Sequence, residues 1–186
     1  MAFPRFDPSH SVKFDIGHGT VQLEGAGPRL LVPPDALLDL CKHAGGESLR
    51  DFGRKLGTES GRRLSGQLGD SVQTAGIEGF VEHLAGNLAL LGLGALSLER
   101  WGKAAVFVVE RSPLGAAGDE LLGAVIEGLL QRALGRDVRT VVLKREDDTV
   151  RLLAAGESGA AKVDRWLSQG VAWGDALSRL HEGGAA

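Results

Sequence analysis

A row of small residues at every fourth position most constrains how this chain can fold. The row consists of Gly53, Gly57, Gly61, Ser65 and Gly69. Four-residue spacing places residues on one face of an α-helix, so the row forms a ridge with almost no side chains. Each glycine inside a helix costs ~1 kcal/mol relative to alanine. The row therefore requires a reason, either close approach of another helix or room for a ligand.

The helix that carries this row is predicted over Glu47–Leu68. Its apolar residues are Leu49, Phe52, Leu56, Leu64 and Leu68, and its basic residues Arg54, Lys55, Arg62 and Arg63 are typical of a soluble helix. Another helix is predicted at about Ile77–Leu91. We expect a hydrophobic pocket or interface around these two helices, with the candidate residues Phe52, Leu56, Gly57, Gly61, Phe80, Leu84 and Cys41.

The remaining patterns predict an α+β fold. A β-hairpin is expected at Val12–Ile16 and Thr20–Glu24, with a short extended piece at Arg29–Val32 and a helix from Pro34. Further on we predict strands at 95–100 and 104–110, a helix at 117–134, strands at 138–144 and 149–154, and a helical tail. Strands that occur in adjacent pairs favour an antiparallel sheet over a doubly wound fold.

Composition and charge exclude several classes of protein. The net charge is −3, and the chain has six Phe, three Trp and no Tyr, so neither a basic field nor many stacking rings are available for nucleic acid. The longest apolar run, Leu88–Leu98, is too short for the ~20 residues that span a bilayer. The N-terminus lacks a basic region followed by an apolar run, so we expect no signal peptide and a cytoplasmic protein.

No sequence motif predicts a catalytic or metal site. The motif Gly92-Leu93-Gly94 precedes a strand, which excludes a dinucleotide loop, and no G-x-S-x-G occurs. The single cysteine, Cys41, has no C-x-x-C partner, and the five histidines lack the spacing of zinc ligands. Glu127 is the one acid inside an apolar helical span. We expect it to reach solvent at the edge of the helix, and a buried acid or base is the alternative.

Five stretches of sequence together carry a family resemblance: Arg29–Pro34, Leu38–Lys42, Leu56–Leu64, Leu90–Gly94 and Leu121–Leu130. They resemble the 4-vinyl reductase domain superfamily, which includes the TRAPP-type small tethering subunits. In that superfamily a glycine-bearing helix, a G-x-G turn into two strands and a second glycine-bearing helix recur in this order. The matching pairs here are Gly57 and Gly61, Gly92 and Gly94, and Gly123 and Gly128, the last pair being five apart.

The resemblance implies a twisted four-stranded antiparallel sheet with helices packed on one face, usually in a dimer. Members bind hydrophobic or aromatic small molecules, or act as scaffolds for small GTPases and tethering complexes. Aromatic-sensing members have a cysteine-and-glutamate zinc site near the last helix and hairpin. That region of this chain holds Gly123, Lys144, Asp147 and Leu152, so no metal is expected. Tethering subunits can carry an acyl chain on a cysteine, but Cys41 resembles a different, earlier one.

We therefore expect one structural unit with three parts: an N-terminal arm and hairpin (1–28), a 4-vinyl-reductase-like domain (29–155) and an amphipathic helical tail (156–186). The expected function is that of a non-enzymatic, bacterial-type homodimer. It would bind a hydrophobic small molecule, a lipid or a protein partner, and use no cofactor. The alternative is a TRAPP-like scaffold or regulator of a small GTPase, with Trp166 and Trp173 as its partner surface. A third hypothesis is an enzyme whose polar groups, including Glu127, converge in one cleft.

Overall fold

The structure is a computed structural model that describes residues 5–68 and 77–182. The strands are β1 (Val12–Asp15), β2 (Thr20–Leu23), β3 (Gly27–Arg29), β4 (Ala95–Trp101), β5 (Ala104–Glu110), β6 (Arg139–Glu146) and β7 (Thr149–Ala155). The α-helices are α1 (Pro34–Ala44), α2 (Gly46–Leu68), α3 (Ile77–Leu90), α4 (Asp119–Leu134), α5 (Glu157–Ser168) and α6 (Trp173–Glu182), with a 3-10 turn at Ala116–Gly118. No helix in these two ranges is long and apolar enough to cross a membrane.

Both sheets are antiparallel, which confirms the predicted α+β class. The larger sheet has the strand order β4-β5-β7-β6, and the N-terminal sheet has the order β1-β2-β3. The hairpins β4–β5 and β6–β7 join adjacent strands, as their short connections require. β5 is central because its β-branched and apolar side chains, such as Val106 and Val109, suit burial on both faces.

Helices cover both faces of the four-stranded sheet. On one face, Phe107 and Leu152 join the larger hydrophobic core, to which α1–α4 contribute. On the other face, Val106 and Leu153 pack with α5 and α6 in a second, smaller core. The predicted helical tail is therefore the cover of the second sheet face.

The third N-terminal strand lies earlier than predicted. We expected an extended piece at Arg29–Val32, but β3 is Gly27–Arg29, and Gly27 pairs with Leu23 of β2. Gly25 and Gly27 have φ angles of 70° and 77°, in the left-handed region that favours glycine. These angles reverse the chain directly after β2, and Leu30–Val32 are left exposed.

The glycine row of α2 faces α4. A Cβ atom at Gly53 would lie 2.7 Å from the Ala124 Cβ, and one at Gly61 would lie 2.8 Å from the Arg132 Cβ. At Gly57 a Cβ would overlap the backbone carbonyl of Val125. The space beside the row is thus filled by α4, and the two backbones are in direct contact. The last member of the row, at position 69, lies outside the described residues.

Candidate functional site

The predicted lining residues lie mainly in the larger core. Phe80 and Leu84 of α3 and Cys41 of α1 are buried there, with Leu56 of α2 half-buried against them. Phe52 is 42% exposed and belongs to the surface of α2. These side chains of α1, α2 and α3 therefore share one apolar core, and their role as a pocket or interface stays a prediction.

Four buried polar residues interrupt this interface. Ser60 and Arg63 on α2 and His83 and Asn87 on α3 are each less than 9% exposed. Their spacings of three and four residues place each pair on one face of its helix. The sequence pattern did not predict this group, because Arg63 was grouped with the other basic residues of a soluble helix. The available signal was its position seven residues after Leu56, on the apolar side of α2.

The Arg63 guanidinium is held by two elements other than its own helix. Its Nε donates to the Glu24 carbonyl oxygen at 2.7 Å, at the end of β2. Its Nη1 donates to Asn87 Oδ1 at 3.0 Å. The Asn87 amide nitrogen donates in turn to the His83 carbonyl oxygen at 2.8 Å, which fixes the amide orientation. Arg63 therefore has one defined position between β2 and α3.

The positive charge of Arg63 has no paired carboxylate among the described residues. Its Nη2 atom is buried and has no hydrogen-bond partner there. Burial lowers the pKa of the Arg63 guanidinium below its usual value, because apolar surroundings solvate the charged form poorly. The exposed Glu24 carboxylate opposes this shift without forming an ion pair. Arg63 is thus a buried cation without an ion-paired carboxylate, held between β2 and α3.

The N-terminal arm covers this polar group. The Phe6 ring lies edge-on to the His83 ring, with a centroid distance of 5.7 Å and an interplanar angle of 87°. A Cβ atom at Gly86 would overlap the Phe6 ring, so the ring lies directly on the α3 backbone. The arm and the end of β2 together close the interface on the side of Arg63.

A second buried polar centre surrounds Glu127. This residue is 3% exposed, so the expectation that it reaches solvent is wrong: α4 is enclosed by α2 on one side and by β6 on the other. Arg50 Nη2 donates to Glu127 Oε1, and Arg54 Nε donates to Oε2 at 3.0 Å. The Thr140 backbone N–H and Oγ1 donate to Oε1 at 2.8 and 3.1 Å. The Glu127 carboxylate therefore connects α4 to α2 and to β6. All of its hydrogen bonds are to these packed elements, so its role is to hold the fold together.

Two clefts lie away from the α2–α3 interface. One, of about 260 Å³, is lined by β5, β7 and α6, and includes Lys103 and His181. The other, of about 310 Å³, is polar and lies beside Arg50 and Thr140. No group of three or more His, Cys, Asp or Glu side chains within residues 5–68 and 77–182 is placed to hold a metal ion.

The tail tryptophans are packed against the sheet. Trp166 and Trp173 are half-buried against the second core. The Trp173 ring contacts the Trp101 ring edge-on at a centroid distance of 4.7 Å. Only part of each tail ring is therefore accessible, and their role as a partner surface stays a prediction.

Comparison with known proteins gives a structural likeness only. No protein-family model matches the chain, and no curated protein matches it. Among solved structures, it is similar to the phenol-responsive sensory domain of the transcription activator PoxR, crystallised with phenol. The TM-score is 0.62 and the sequence identity 14%, over 92% of each chain. The chain therefore shares the fold of that sensory domain.

Proposed function

We propose that this chain is a non-enzymatic, homodimeric module that binds a hydrophobic small molecule between α2 and α3. We also propose that it is a bacterial-type member of the 4-vinyl reductase domain superfamily. The observation that carries the binding proposal is Arg63, which is buried in the α2–α3 interface without an ion-paired carboxylate and with its Nη2 donor unused. The shared fold with a domain crystallised with phenol supports a small molecule as the ligand class.

Different residues of the interface have different roles in the proposed binding. Leu56, Phe80 and Leu84 supply apolar surface for the body of the ligand. Arg63 and Asn87 supply the few polar groups that orient a ligand in such a site. Phe6 closes the site, so that a ligand enters by displacing the N-terminal arm from α3.

Filling the interface tests the binding site. We expect the wild-type protein to bind members of a panel consisting of phenol, benzamide, benzoate, octanamide and octanoate, as measured by saturation-transfer NMR and titration calorimetry. Leu56→Trp places a large ring against α3 and should weaken binding by about tenfold or more, which corresponds to about 1.4 kcal/mol. Leu134→Trp is the control, because Leu134 is 39% exposed at the end of α4. Undiminished binding by L56W, or no binding of the panel to the wild type, would contradict the proposal.

Exposed apolar residues near the N-terminus support the homodimer. They come from β1 and its turn, from the β3–α1 connection and from α1, and comprise Phe14, Ile16, Leu30, Leu31, Val32 and Leu40. Leu30 is 88% exposed and Leu31 is 76% exposed. Large apolar patches on a protein surface mark interaction sites.

Charges placed on this surface test the dimer. Light scattering coupled to size exclusion should report a dimer for the wild type and a monomer for the double variant Leu30→Lys, Leu31→Lys, because paired lysines would repel across an apolar interface. Leu134→Lys serves as the control, since Leu134 is 39% exposed at the end of α4. A monomeric wild type would refute the homodimer, and a dimeric double variant would exclude this surface.

A further inference from the structure

We infer that the ligand bound between α2 and α3 is a carboxylic acid with an apolar body, and that Arg63 is the residue that recognises its carboxylate. This inference rests on the proposed function and names the class of ligand for the same site. Three observations support it: the hydrogen bonds that Arg63 makes, its Nη2 atom without an acceptor, and its burial among apolar residues.

The hydrogen-bond donors of Arg63 are only partly used. A guanidinium has five N–H donors in a planar fork. One is bound to the Glu24 carbonyl and one to Asn87 Oδ1, whereas Nη2 has no acceptor in the described part of the chain. Because Nη2 is a terminal nitrogen of the fork, it remains available to a carboxylate oxygen. A bound carboxylate would supply the missing acceptor.

Arg63 forms no ion pair within residues 5–68 and 77–182, in contrast to the buried carboxylates of these ranges. Glu127 is paired with two arginines, and Asp119 is paired with Arg145. Arg63 is 4% exposed, and its two acceptors are a carbonyl and an amide oxygen, both neutral. A buried charge without an ion-pair partner is costly, and a neutral ligand would leave that cost in place. An anion satisfies both the charge and the free donor.

The surroundings of Arg63 define the rest of the ligand. Leu64 follows it on α2, and Leu84 and Leu88 flank Asn87 on α3; each is at most 1% exposed, so the body of a ligand reaches them only where packed side chains move aside. A small inorganic anion would not use this apolar surface. An aromatic or alkyl body attached to the carboxylate would, and Asn87 holds the guanidinium in place to receive the charged end.

Matched pairs of acid and amide test the inference on the full chain. The probes are benzoate against benzamide and octanoate against octanamide, measured by titration calorimetry and saturation-transfer NMR. An amide has nearly the shape of its acid but no charge. We expect at least one acid to bind the wild type about tenfold or more tightly than its amide, because charge-assisted hydrogen bonds are about twice as strong as neutral ones.

Variants at Arg63 assign the preference to this residue. Arg63→Met should reduce the affinity for that acid to the level of its amide, and leave the amide affinity unchanged. Arg62→Met is the matched control, because the Arg62 side chain is 62% exposed on the same helix, and it should keep the acid preference. If R63M does not unfold cooperatively, Arg63→Gln takes its place, with the same loss of acid preference expected.

The outcomes separate this inference from the proposed function. Equal affinity of the wild type for acids and amides, or an acid preference that survives in R63M or R63Q, overturns the carboxylate assignment while the binding module stands. A wild type that binds none of the four probes overturns the carboxylate assignment, and one that also fails to bind phenol overturns the proposed function.

Discussion

Glu127→Ala is expected to lower the free energy of unfolding by about 3–5 kcal/mol, the cost of breaking a buried ion pair by removing one partner. The variant would leave Arg50 without its carboxylate and would remove the acceptor of both Thr140 donors. It would also remove the polar link that Glu127 makes between the arginines of α2 and Thr140 of β6. Urea unfolding followed by circular dichroism measures the change.

Two further variants separate charge from packing at this position. Glu127→Gln keeps the volume and one acceptor oxygen but removes the charge, so we expect a smaller loss than for alanine. Glu59→Ala breaks an exposed ion pair with Arg62, in which the two side chains are 47% and 62% exposed, and should cost about 1 kcal/mol or less. A Glu127→Ala variant no less stable than Glu59→Ala would show that the Glu127 network contributes little.

Gly57→Ala is expected to destabilise the protein by about 3 kcal/mol, at the upper end of the range for overpacking. The new Cβ would overlap the Val125 carbonyl and lie 2.9 Å from the Leu129 backbone nitrogen. Both are backbone atoms of α4, so no change of rotamer can relieve the clash, and the helices must separate. The gain in helix propensity, ~1 kcal/mol for glycine to alanine, is too small to offset this. Thermal unfolding should show a lower Tm.

Gly66→Ala is the matched control on the same helix. A Cβ at Gly66 meets no atom within 4 Å, so alanine there should stabilise the protein by about 0.5–1 kcal/mol through helix propensity alone. Opposite signs at positions 57 and 66 are therefore expected. If both substitutions stabilised the protein, α2 and α4 would not be packed as closely as described.

The secondary structure followed largely from local patterns in the sequence. The strand Ala104–Glu110 was predicted at its observed bounds, and α2 began one residue earlier than expected. Alternation, helical periodicity and glycine stops are properties of neighbouring residues, and adjacent strand pairs determined the antiparallel class. The position of β3 depended on glycines in the left-handed region, and the apolar pattern of Arg29–Val32 gave no sign of them.

The site depended on contacts between distant parts of the chain. Arg63 resembles the other basic residues of α2 in sequence, and its burial results from Asn87 and Glu24, which lie 24 and 39 residues away. Glu127 is buried because arginines 73 and 77 residues earlier reach it. The glycine row left helix packing and ligand room open. Helix packing is the explanation that the structure supports, because α4 also has a glycine at the contact: a Cβ at Gly128 would overlap the Arg54 carbonyl.

The cover on both faces of the sheet determines how freely its strands can change during evolution. In a sheet with one solvent-exposed face, every second residue of a strand can be replaced by a polar residue. From Val106 to Val109, each residue of β5 is buried, because neighbouring side chains enter opposite cores. This strand can therefore exchange its residues only for apolar ones of similar size. The edge strand β4 has exposed positions, such as Ser97 and Arg100, at which lineages can diverge.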